Sequence, residues 1–533
     1  MGKFFVSFCL SVGFAMAQHH AHVPASEKPV TLYPGMGTWR HPIHTKNAEA
    51  QKYFDQGLNL FYGFNRYEAL RSFRKAAELD PGAPMAYWGM SMSLGPYVNM
   101  DGDPTFDLKE SCAAASKGLA ITGANARERA YLEAAAKRCP EYKPETYIAA
   151  MRTLAQRWPD DLDAQVLLAD SLMVPVRWHW YNTDGTPAPG VLEAERAIEG
   201  VLRRWPDHPG ANHYYIHAVE ASPTPERAIA SAQRLMGVTP ALGHMVHMPG
   251  HIWLVLGDWE MAAAVNDRAV TVDREYFAQT GVQSSYVMYY AHNMHFVAYA
   301  RWMQGKKAEG LRAAAEMADA LVPMVETAPE VADFFRAWTA FGRVRFQDWD
   351  GILKTPQPKP AMKTENLVWH YSRVLAHAGR GDRAAALKEK SAFQEFRKIL
   401  PADAFWGTNK LVDAAAIAAE VIDARLAATP AQAVAHWRRA VEIQDKMTYD
   451  EPPAWYYPIR ESLGAELLRA GNAVEAEKIF REGILRSPRN GRMLFGLMES
   501  LRAQRKTEDA DAVQREFEAA WAKADVKLKL EEL

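Results

Sequence analysis

Residues 50–81 read AQKYFDQGLNLFYGFNRYEALRSFRKAAELDP. Counted from Ala50, the residues Gly57, Ala69, Phe73, Ala76 and Pro81 take positions 8, 20, 24, 27 and 32. Small residues at 8, 20 and 27 let two helices approach closely. The aromatic at 24 fills the gap between them, and the proline stops the second helix. The same frame recurs from Tyr457, with Gly464, Phe480, Ala476, Gly483 and Pro488, and from Gly243, with Gly250, Trp253, Ala262 and Ala269. Partial copies surround Ala433, Trp437 and Ala440, Ala308 and Ala315, and a degenerate one surrounds Ala228. Few β-branched runs alternate with polar residues, while Ala, Leu and Met dominate the apolar stretches, which favours helix.

This pattern resembles the tetratricopeptide repeat (TPR), a helix-turn-helix unit of about 34 residues. The resemblance covers most of the chain beyond its first residues, strongly in the first and last copies and weakly between. It implies an all-α fold: a right-handed superhelical array of antiparallel helix pairs, a TPR-like solenoid. Each such unit buries little surface alone and depends on its neighbours. Thr355-Pro356-Gln357-Pro358-Lys359-Pro360 is the densest proline cluster. It divides the expected organisation into an array over 49–352, a loop over 353–362 and an array over 363–533.

The start of the chain reads as a leader. Lys3 precedes an apolar run from Phe4 to Phe14, and Ala15-Met16-Ala17 fits a small-residue cleavage pattern, so residues 1–17 are expected to be a signal peptide. The run is too short to span a bilayer, and nothing else reads as a membrane span. A periplasmic or secreted location follows as an expectation. Cleavage would begin an extension over 18–48 with His19, His20 and His22, whose nitrogens suit square-planar Cu(II) or Ni(II). It would also leave Cys112 and Cys139, for which one disulfide is permitted in an oxidising compartment. The 533 residues carry 62 Lys and Arg against 64 Asp and Glu, a net charge of -2, which supplies no basic excess for a nucleic-acid backbone.

Histidine is unevenly spread. Only His179 falls between Gln51 and Pro206, whereas His213, His217, His244, His247, His251, His292 and His295 fall within 212–295. Steps of three, four and seven place His244, His247 and His251 on one helical face, and His213, His217 and Glu220 on another. The TPR resemblance implies that positions 2, 5, 9 and 12 of a first helix line the groove. Those are His244, His247 and His251 in the frame from Gly243, and His213, His217 and Glu220 in one starting near Pro209. His292 and His295 form a third cluster. Neutral imidazole suits Zn, Cu, Fe and Ni, and carboxylate-seeking Ca²⁺ and Mg²⁺ are disfavoured. The seven histidines are therefore the expected ligands of a copper, zinc or iron ion, with Glu220 as ligand or catalytic base.

Two other readings fit the same residues: a hydrogen-bonded histidine network without metal, and a patch for an organic ligand or peptide. Three function classes result. One is a metal-dependent oxidoreductase or hydrolase. The second is a TPR scaffold gripping a peptide or protein partner. The third is a metal delivery or storage protein. His-Glu-x-x-His is absent, so a zincin peptidase is not indicated. Asp450 to Glu461, with Glu461 facing the groove and Arg460 beside it, and Val176 to Tyr181 are candidate pocket walls. Trp39 to His44 is a candidate segment folding over the groove mouth to lend a ligand.

Overall fold

Asn47 opens the first helix, Ala48–Tyr62, by accepting from the amides of Glu49 and Ala50. Asn65 opens the second, Arg66–Leu79, by accepting from Glu68. The same device recurs along the chain: Asp107, Asn125, Asp161, Asp258, Asp382, Asn472 and Asn490 each cap a helix with a side-chain oxygen. In the computed structural model, which describes residues 28–99, 105–282, 284–326 and 329–533, successive helices pack in antiparallel pairs from Ala48–Tyr62 to Thr507–Trp521. The fold is all-α and TPR-like. The strands among the described residues form one short hairpin, Phe405–Trp406 with Asn409–Lys410. No helix among them is long and apolar enough to cross a membrane. The leader and the His19-His20-His22 segment lie outside the described residues.

The repeat frame has a direct packing meaning. A Cβ on Gly57 would lie 2.8 Å from the Phe73 ring, and one on Gly464 would lie 2.6 Å from the Phe480 ring. Gly89 and Gly496, in the middle of the next helices Pro84–Leu94 and Gly491–Ala503, approach the same two rings more closely still. Each aromatic is thus wedged between its own repeat and the next. Gly496→Ala is expected to cost about 1–3 kcal/mol by overpacking this wedge, read as a lower midpoint in thermal unfolding. An unchanged midpoint would show that Phe480 moves aside freely.

The apolar interior forms two large clusters. One runs from Met36 to Tyr289 and the other from Leu254 to Leu533. They meet along the helices between residues 249 and 303. The proline-rich stretch joins two helices of the second cluster: the helix after it, Lys363–Gly379, packs on Pro329–Arg345 before it. Asn366 ties that stretch down by donating to the carbonyls of Lys359 and Met362. Cys112 and Cys139 form a disulfide within the first cluster's outer helices.

The segment ahead of the first helix is also pinned, though away from the histidine clusters. His41 Nδ1 meets Asp163 Oδ2 at 2.7 Å, and the Trp39 indole donates to Asp163 Oδ1 at 3.0 Å. Tyr62 donates to the same oxygen at 2.6 Å, and His208 Nε2 lies 3.3 Å from it. His44 donates its amide to Glu128. The Trp39–His44 segment therefore sits apart from the histidine clusters, and its His41 instead joins Asp161 and Asp163 in a separate group of potential ligands.

Candidate metal centre

Four helices and one loop build the site. The helix Pro209–Glu220 starts on His208, whose Nδ1 accepts the Ala211 amide at 3.1 Å, and on Pro209, which has no amide to satisfy. Its inner face carries His213, His217 and Glu220. The expected single helix over the Gly243 frame is broken in two, Gly243–His247 and Pro249–Val255. Pro249 has no N–H for the preceding turn, so the backbone kinks there. His244, His247 and His251 still face one way across the kink. Gly250 leaves space that Asn266 fills from the helix Trp259–Thr280. His292 approaches from the helix Ser284–Met303.

His213, His217, His244, His247 and His251 are each at most 2% exposed. Ligand atoms of His213, His217 and His244 lie within 4.8 Å of one another, and so do those of His247, His251 and His292. A third such group joins His217, Glu220, His251 and Glu451. These clustered buried side chains form a potential metal-binding site. Of the residues expected from sequence, His295 is not brought into it: its ring packs 3.9 Å from that of Trp338, with neither nitrogen hydrogen-bonded among the described residues. Glu451 was absent from the expected ligands. It enters from a loop some 200 positions after the histidines, within the Asp450–Glu461 run whose composition had marked it.

Hydrogen bonds at the outer nitrogens determine what the inner ones offer. His213 Nδ1 lies 2.5 Å from the Tyr62 carbonyl, which can only accept, so Nδ1 carries the proton. Asn266 donates its amide to the Ala262 carbonyl at 2.8 Å, turning Oδ1 towards His247 Nδ1 at 2.6 Å. His251 Nδ1 reaches Glu220 Oε2 at 2.5 Å, and His217 Nδ1 reaches Glu220 Oε1 at 2.9 Å. Each Nε2 is left as the atom aimed inward. His213 and His244 bring theirs to 3.2 Å, and His247 and His251 to 2.7 Å. Such outer-nitrogen bonds to carboxylate, carbonyl or amide fix tautomer and ring orientation in metal-binding histidines. Both Glu220 oxygens are engaged by these rings, so it acts here as a holder of imidazoles rather than as a free base.

Burial, reinforced by the neighbouring imidazoles, holds His213, His244, His247 and His292 well below the ordinary histidine range. Burial and the adjacent His251 bring His217 down to about 3. His251 is the exception: burial opposes its charge, but Glu451 and Glu220 outweigh it and push it up to about 10. At neutral pH the centre is thus a set of neutral imidazoles around one cationic ring, and neutral imidazole is the ligating form.

The surroundings are aromatic. The Phe64 ring stacks 5.2 Å from His244, and Trp178 and Trp180 pack 5.9 and 5.6 Å from His217, so the Val176–Tyr181 run is a wall of the site. Glu461, expected to face a groove, is instead buried against Arg345 at 2.8 and 3.1 Å, and Arg460 forks onto Asp445 with two contacts of 2.7 Å. A cavity of about 720 Å³ adjoins the centre. It is lined by residues that directly follow or precede the carboxylates, Ala221, Ser222, Tyr449 and Asp450, and by Trp259 and Trp455.

No family model matches the chain, and no curated protein matches it. Solved structures similar to it are the yeast Tom70 crystal structure, 12% identical over 88% of this chain and 90% of that one with a TM-score of 0.27, and the human IFIT1 dimer with m7Gppp-AAAA, 12% identical over 90% and 92% with a TM-score of 0.33. The APC/C hetero-tetramer Cut9-Hcn1 is 11% identical over 90% and 94%, with a TM-score of 0.28. Likenesses this distant carry no argument about what this chain binds, and the reading of the site rests on its own geometry.

Proposed function

We propose that this chain is a metal-dependent enzyme of the oxidoreductase or hydrolase class. In this reading, His213, His217 and His244 hold one transition-metal ion and His247, His251 and His292 hold another. The observation that carries it is the convergence of buried imidazoles, with three ligand atoms within 4.8 Å of one another in each group. All-nitrogen groups favour copper, zinc or iron over hard ions. Such an ion supplies Lewis acidity or activates water or O₂.

The adjoining cavity favours an enzyme over a store, which needs no such space. Its volume is in the range of small-molecule sites. Of its charged groups, Arg460 is spent on Asp445, and burial pushes Asp450 up to about 7. An uncharged organic substrate with aromatic or apolar surface suits these walls. A scaffold gripping a peptide would present basic and amide side chains in place of the imidazoles. The Ala15-Met16-Ala17 leader pattern and the Cys112–Cys139 disulfide support an exported, periplasmic or secreted protein.

The test is elemental analysis of the full chain made through an export route and reconstituted separately with zinc, copper and iron. At least two ions per chain are expected with one of them. Less than one ion per chain with all three would overturn the reading.

A further inference from the structure

The two all-imidazole groups leave a pair of carboxylates between them to be explained. Glu220 comes from the helix Pro209–Glu220 and Glu451 from the loop before Pro452. Glu220 takes the His217 and His251 contacts at its two oxygens. Glu451 Oε1 lies 3.1 Å from the same His251 Nδ1, but that N–H is directed to Glu220. No donor meets ordinary hydrogen-bond geometry at either Glu451 oxygen, although the Tyr449 hydroxyl and the His251 ring stand beside it, and its side chain is 4% exposed. Two buried carboxylates side by side are disfavoured, and the single charge of His251 offsets only one of them.

His217 and His251 supply the second half of the observation. Each belongs to two groups at once, His217 with His213 and His244, His251 with His247 and His292, and both with Glu220 and Glu451. In each ring one nitrogen serves each side. His251 points Nε2 at His247 and Nδ1 at the carboxylates, and His217 points Nδ1 at Glu220 while its buried Nε2 has no hydrogen-bond partner.

We propose that His217, Glu220, His251 and Glu451 hold a third cation between the two imidazole-bound ions, with His217 and His251 each ligating through both ring nitrogens. This rests on the reading that the two all-imidazole groups bind metal. On entry of the third ion, both Nδ1 protons leave to solvent and each ring becomes an imidazolate bridge. Two nitrogens and two carboxylate oxygens make this site harder than its neighbours, suited to Zn²⁺ or Fe²⁺ more than to Cu⁺. The arrangement accounts for Glu451: a cation there offsets the carboxylate charge that His251 leaves uncompensated.

The test titrates the full, metal-free chain with Zn²⁺ alone and counts retained ions by elemental analysis. Three per chain are expected for the native protein and two for Glu451→Gln, which keeps the shape and removes the charge, whereas Glu451→Asp should regain the third ion at weaker affinity. Two ions in the native chain and the same two, equally tight, in Glu451→Gln would overturn the third site, the carboxylates then sharing a proton, while leaving the imidazole sites standing. Retention of no zinc, copper or iron by the native chain would be a failure of the imidazole sites themselves. If Glu451→Gln does not fold, the native protein loaded with Cu²⁺ decides. Imidazolate bridges couple the spins, so the integrated paramagnetic signal should fall well below the copper content. A signal equal to the copper content would overturn the bridging.

Discussion

A chain carrying His244→Ala and His247→Ala together is expected to lose at least two metal ions relative to the native protein. One substitution falls in each imidazole group, so neither group keeps three ring ligands. The remaining partners, His213 across from His244 and His251 across from His247, then face a methyl group instead of a second nitrogen. Stability should separate the two proteins as well. A ligand that binds only the folded state stabilises it by about 4 kcal/mol at a thousand times its dissociation constant. Added metal should therefore raise the melting temperature of the native chain and leave that of the double variant almost unmoved. The metal-free variant should itself melt below the metal-free native chain, since two buried rings are replaced by cavities, so the response to added metal is the reading that decides. Native metal content in the variant would place the ions elsewhere and sink the assignment.

The second large effect concerns Asp163. Asp163→Asn should destabilise the fold by about 3–5 kcal/mol, the range for removing one member of a buried ion pair. The carboxylate is a hub for Trp39, His41 and Tyr62, with His208 alongside, and through it the segment before the first helix is held to the helix Leu162–Met173. The pH dependence has a definite sign. Burial opposes ionisation of Asp163, but His208 and His41 outweigh it and hold the carboxyl below the usual carboxylate range. Its contribution is present above the ordinary carboxylate value and fades as pH falls through the depressed one. Burial opposes charge on His41, but Asp163 outweighs it and raises that ring above the ordinary histidine value. Its contribution is present below the ordinary value and is lost as pH rises through the raised one. Both are complete between about pH 4 and about pH 6.5. The gap between native and variant in urea unfolding should be widest there and shrink at alkaline pH. A gap that is the same at about pH 5.5 and about pH 9 would remove His41 from the account.

Much of this was legible in the residues. Phe73 and Phe480 sit where positions 8 and 24 of the repeat frame require, because a wedge between small residues is a local matter of spacing. The inward faces of His213 and His217, and of His244, His247 and His251, follow from helical periodicity and survive the kink at Pro249, since one lost amide bond bends a helix without rotating its face by half a turn. His292 and His295 diverge because three residues turn a helix by about 60° short of a full circle. That is enough for one ring to reach His247 at 4.9 Å and the other to enter the Trp338 interface. Glu451 was out of reach for a different reason. Its arrival depends on how the second array folds back, and no spacing within a single repeat encodes a contact across two hundred residues. Asn266 and the Tyr62 carbonyl were hidden likewise, their role coming from tertiary contact alone.

Glu220 belongs to the helices of the first apolar cluster and Glu451 to the loop that joins the second, beside Ala454 and Trp455. An ion gripped by both fastens the two halves of the array together as a rivet does two plates. Without it they are joined by side-chain packing, which can slide. With it, pulling one half away means giving up a ligand, so the halves come apart together or not at all. On that proposal, loss of the ion would leave only the packing between the two clusters to hold the halves together.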